Sequence, residues 1–174
     1  EKFQSSIHPA QRLAEVMKQG SSPYPWHAVI SIVKDDRIAE FKNRLPTAGE
    51  TRLLAYYALS RGTKGIFYRT SPEIEKNSIY QSEIKKINTE IQSVKPYIIY
   101  SEPISLASAS IPKVEACTLQ AGYDAIILFL INHDTKSSSD LINSFSYTVK
   151  ENFTVTVNIP ERVDIEEIYH VRDK

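Results

Sequence analysis

The spacing of apolar residues changes along the chain. From His8 to about Val94 helical periodicity alternates with short β-like runs, whereas from about Ile104 onward β-branched and aromatic residues alternate with polar ones. An α/β part followed by an all-β part is predicted. Pro9 to about Lys18 sets Leu13, Val16 and Met17 on one helical face, with Pro9 in a first turn where a missing N–H costs nothing. Pro23-Tyr-Pro-Trp26 is held extended by its prolines and leads into Ala28-Val-Ile-Ser-Ile-Val33, a buried strand. The polar run from Lys34 to Arg44 has no clean period and reads as a long loop. Thr47-Ala-Gly-Glu50 is a capping-box sequence, in which the Thr47 hydroxyl and the Glu50 carboxylate each accept from the other's backbone N–H. The helix it opens carries Leu53, Leu54, Tyr57 and Ala58, and Gly62 supplies its left-handed closing residue. Gly65-Ile-Phe-Tyr68 is a second strand. A loop through Arg69, Thr70, Ser71 and Pro72 then leads to a long helix whose apolar stripe, Tyr80, Ile84, Ile87, Ile91 and Val94, suits packing on a sheet; Pro96 is expected to stop it.

Strand, helix, strand, helix in that order implies parallel strands covered by helices. Two parallel strands alone leave free edges and too little core, so further chain or a partner chain is expected to complete the sheet. In the second part the predicted strands are Lys113 to Leu119, Asp124 to Asn132, Phe145 to Lys150, Thr154 to Ile159 and Ile165 to Val171, separated by turn sequences such as Ala121-Gly122. Short strands at this spacing suggest a small antiparallel sandwich.

Composition narrows the function classes. Twenty-one basic and 21 acidic side chains cancel, so no whole-chain field draws this surface to nucleic acid or to anionic lipid. The longest apolar run, Ala125 to Ile131, is far short of the about 20 residues that a membrane-spanning helix needs. Neither nucleic acid nor membrane is an expected partner. Cys117 is the one cysteine and can form no internal disulfide. His8, His27, His133 and His170 are scattered, with no ligand spacing among them, so neither a metal site nor any cofactor is expected. The chain opens on Glu1-Lys-Phe-Gln without a signal core, which reads as a start after processing or within something larger.

Trp26, Arg44-Leu-Pro-Thr47, Glu50-Thr-Arg52, Ala55-Tyr56, Ala58-Leu59 and Gly62-Thr-Lys-Gly-Ile-Phe-Tyr68 together resemble the end of a glycoside-hydrolase-like TIM barrel. The resemblance implies that residues 1–102 are the last βα units of a (β/α)8 barrel and residues 103–174 an appended β-sandwich. It implies a parent that handles carbohydrate, secreted or in the cell envelope, whose N-terminal barrel portion completes the sheet. Glycoside hydrolysis needs two carboxylates roughly 5 to 9.5 Å apart. The strand that would carry one of them holds Ile30, Ser31, Ile32 and Val33 instead, so no catalytic residue is assigned and this chain alone is expected to be inactive. Within that resemblance the candidate substrate-binding residues are Asp35, Asp36, Arg44, Tyr68 and Arg69. Asp35 and Asp36 begin a loop on the face that carries chemistry in such barrels, though adjacent carboxylates also suit a solvated loop. Arg44 offers a rigid donor fork to a sugar, or a bridge to Glu50. Tyr68 with Arg69 would give an aromatic platform beside a polar donor, or Tyr68 would simply pack. A non-enzymatic binding or assembly module is the alternative.

Overall fold

The computed structural model describes residues 25, 27–33, 45–123, 125–137, 145–159, 165–169 and 171. The helix expected from Pro9, the Trp26 position and the whole Lys34 to Arg44 loop lie outside them.

Strand β1 (His27–Ile32) and strand β2 (Gly65–Thr70) pair in parallel, with His27 opposite Gly65 and Ile32 opposite Thr70. Between them runs helix α1 (Ala48–Ser60), which begins where the sequence predicts. The Glu50 N–H donates to Thr47 Oγ1 at 3.1 Å and the Thr47 N–H to Glu50 Oε2 at 2.7 Å. Thr47→Ala is expected to lower stability by about 0.5–2 kcal/mol in a chemical denaturation series, because it removes the hydroxyl that accepts from the buried Glu50 N–H. At the other end Gly62 takes φ +89°, where a side chain would also strike Pro103.

After β2 the chain makes a short helix, α2 (Pro72–Glu75), which the sequence does not set apart from the long helix that follows. Helix α3 (Ser78–Tyr100) follows and passes straight through Pro96 instead of ending there. Gln92 and Pro96 are exposed, so the carbonyl that proline leaves unpaired meets water. Beyond it Ile98 is buried, and Lys64 Nζ donates to the Ile98 carbonyl at 3.1 Å and to that of Ser101, which secures the helix end.

The second part departs from the expected sandwich. Strands β3 (Ser101–Ile104), β5 (Val114–Ala121) and β6 (Ala125–Asn132) form a three-stranded antiparallel sheet in the order β3-β5-β6. Separate ladders join β4 (Ala107–Ala109) to β9 (Val155–Val157), and β7 (Thr135–Ser137) to β8 (Phe145–Tyr147). No strand occupies the described part of Ile165 to Val171. The three-stranded sheet turns Cys117, Leu119, Phe129 and Ile131 onto Tyr57, Leu59 and Ile98 of the helices. Helices therefore fill the place that a second sheet would take in a sandwich.

The barrel expectation is likewise overturned. Among the described residues β1 and β2 pair only with each other, three helices are present, and every other strand pairing is antiparallel. The architecture is a mixed α/β arrangement of small sheets. Two clusters hold it together: one joins α1 and α3 to the antiparallel sheet, and the other packs Ile30, Ile32, Ala55, Ile74, Tyr80 and Ile87 between the parallel pair and the helices. Helix α1 contributes to both, which is why its apolar residues are spread around it instead of forming one stripe.

Candidate functional site

Alternation along two parallel strands in register gives the β1–β2 pair two chemically different faces. Ala28, Ile30 and Ile32 line up with Ile66, Tyr68 and Thr70 and face the helices. His27, Val29 and Ser31 line up with Gly65, Phe67 and Arg69 on the other face. That second face is open: Val29 is 65% exposed and Phe67, its register partner, 60%. The His27 ring lies so close over Gly65 that a Cβ there would fall 2.3 Å from it, and it meets the Phe67 ring at 5.6 Å between centroids. Glycine at 65 thus lets an imidazole, a valine and a phenyl ring share one surface, with Ser31 and Arg69 at its far end.

The same alternation separates two of the expected site residues. Arg69 belongs to the open face and is exposed. Tyr68 points the other way, into the cluster with Ile30 and the helices, so the two do not make a joint platform. Its hydroxyl is buried with no hydrogen-bond partner among the described residues, and burial together with the nearby Glu83 charge pushes it up to about 12. Tyr68 is a neutral packing residue with an idle hydroxyl. Asp35, Asp36 and Arg44 lie outside the described residues.

Two charged networks that sequence reasoning missed are built on the helices. Arg52 Nη1 reaches Glu83 at 2.9 Å, and its Nη2 takes both oxygens of Glu90 at 2.6 and 2.7 Å. Its guanidinium also lies 5.2 Å from the Tyr56 ring centroid. Both carboxylates are thereby committed to one arginine, an arrangement that ties α1 to α3. The seven-residue step from Glu83 to Glu90 along the helix was the available signal.

The second network joins α1 to the antiparallel sheet. Glu115 accepts from Arg61 through one oxygen, and its other oxygen lies 2.9 Å from His133 Nε2, while Arg61 also donates to the Tyr57 hydroxyl at 2.9 Å. The His133 hydrogen bond and the Arg61 charge outweigh burial and hold the Glu115 carboxyl down at about 2. Cys117 beside it is buried, and burial and the Glu115 charge push its thiol up, towards the protonated form. No group of three or more His, Cys, Asp or Glu side chains able to hold a metal ion occurs among the described residues. Beside these two networks, the open face of β1–β2 is the largest exposed apolar feature of the parallel pair among the described residues. No family model, no curated protein and no solved structure matches this chain, and its site is read from its own geometry.

Proposed function

We propose that this chain is a non-catalytic assembly module whose parallel pair receives further β-strands of polypeptide. One observation carries the reading: Val29 and Phe67 stand side by side and exposed on a parallel sheet, a kind of sheet that is covered on both faces almost wherever it occurs. The free strand edges support it, since among the described residues neither β1 nor β2 has a second neighbour and each presents a row of unpaired backbone groups. An added strand would extend the hydrogen-bond ladder and give the open face neighbours to pack with. The double variant Val29→Thr, Phe67→Ser tests this. A hydrophobic dye is expected to bind the unaltered chain and to lose most of its signal on the variant, with stability changed by no more than about 0.5 kcal/mol, as for exposed positions. A loss of roughly 2 kcal/mol or more, the range for a core truncation, would mean that the face is already covered and would end the assembly reading.

A second reading, carbohydrate recognition on the same face, is favoured by the exposed Phe67 ring standing on one surface with Arg69 and Ser31. An aromatic plane takes the C–H side of a sugar, and a guanidinium and a hydroxyl take its oxygens.

A further inference from the structure

Beside the α2 turn and along α3 lies an open groove of about 630 Å³ that none of the features above uses. Its floor is apolar, made by Ile74, which is almost fully buried, and the half-buried Ile84. Its wall is a row of uncharged amides: Gln81, Asn88 and Gln92, the last two one helical turn apart. Asn88 and Gln92 make no hydrogen bond to the described residues. Gln81 uses only its NH₂ group, donated to the Glu75 carbonyl, which leaves its side-chain oxygen unengaged. Thr89 donates its hydroxyl to the Lys85 carbonyl at 2.9 Å and keeps its lone pairs. Glu75 and Lys85, one of each sign, cancel, and Thr70 already donates to the Glu75 carboxylate at 3.1 Å.

We infer that this groove is a binding site for a neutral, hydroxyl-rich ligand of oligosaccharide size. An amide both donates and accepts, and so does a hydroxyl, so each amide can satisfy a sugar oxygen in either sense without a net charge on either side. An anion would call for an excess of cations, and an excess of carboxylates would be needed for a cation. This site lies on the helices and is distinct from the open face of the parallel pair, so it goes beyond the assembly reading.

The test is an NMR titration of the full chain with maltotriose, cellotriose and chitotriose in turn, following side-chain amide and backbone resonances. Saturable shifts at Gln81, Asn88 and Gln92 are expected with at least one of them. The variant Asn88→Ala, Gln92→Ala should weaken that binding at least tenfold with an unchanged unfolding curve, since both side chains are exposed. Val29→Thr, Phe67→Ser should leave it unaltered. Binding that survives the amide variant but is lost in the face variant would place the sugar on the open face and overturn the groove. Failure of all three sugars to shift these amides at high millimolar concentration would overturn it too, as would shifts there with a glycine-rich extended peptide alone.

Discussion

Arg52→Ala is expected to lower the free energy of unfolding by about 3 kcal/mol, close to the range for removing one partner of a buried ion pair. Glu90 is only 8% exposed and takes both Nη2 contacts of Arg52, so truncation leaves a desolvated carboxylate without that counter-charge. Glu83 loses its 2.9 Å contact as well, and the Tyr56 ring loses the cation over it. Since α1 and α3 both pack on the parallel pair, the loss should appear as a lower urea midpoint with an unchanged slope. Arg52→Lys should recover only part of it, because an ammonium cannot reproduce the fork that spans two carboxylates. Replacing Arg52 and Glu90 together by apolar residues should cost less than Arg52→Ala alone, since the more deeply buried carboxylate is then no longer stranded and only the more exposed Glu83 loses its partner. A change below about 0.5 kcal/mol for Arg52→Ala would show that the network adds nothing beyond an exposed pair.

Acid is expected to weaken the fold through Glu115. Its carboxyl is held at about 2 in the folded chain against an ordinary 4.5, so below pH 4.5 the unfolded chain takes up a proton that the folded chain refuses. The stabilisation is therefore complete above pH 4.5 and is lost as pH falls towards 2. A difference of that size corresponds to about 3 kcal/mol. Solvent screening of a side chain that is 32% exposed reduces it to about 2 kcal/mol. Denaturation curves collected from pH 6 to pH 2 should show this slope in the unaltered chain, and Glu115→Gln should flatten it by about that amount. Parallel curves for the two proteins would mean that the link from Arg61 to His133 through Glu115 does not couple the helix to the sheet.

The two stability predictions and the functional one concern different parts of the molecule. Arg52 and Glu115 hold α1 against its two neighbours, whereas Val29 and Phe67 are exposed and contribute little to that framework, as the proposed assembly role requires. An assembly module needs this separation, because its docking surface has to be left unsatisfied while the rest of the chain supplies the stability.

Elements whose cause is local could be read from the chain. The capping box at Thr47 and Glu50, the positive φ of Gly62, the alternation of β1 and the stripe from Tyr80 to Val94 all depend on residues a few positions apart. The open edges of the parallel pair were also foreseeable, from the number of strands alone. Other features had no local signal. Strand β3 is Ser-Glu-Pro-Ile, and only its place at the edge of a sheet makes the proline tolerable there. Helix α3 outlasts Pro96 because Ile98 finds a core and Lys64, more than thirty positions away, caps the end. Which of the two readings of Tyr68 holds, packing or a platform with Arg69, also had no local signal: adjacent residues in a strand face opposite ways, and the helices decided which face was closed. The fragments that resemble a barrel end describe a strand–helix–strand unit, and such a unit does not say how many strands will join its sheet. Propensity, caps and turns act over one or two turns of chain and were set by the sequence. Strand pairing, the choice of covered face and the partners of Arg52 and Glu115 are contacts between distant residues, and only the tertiary structure decided them.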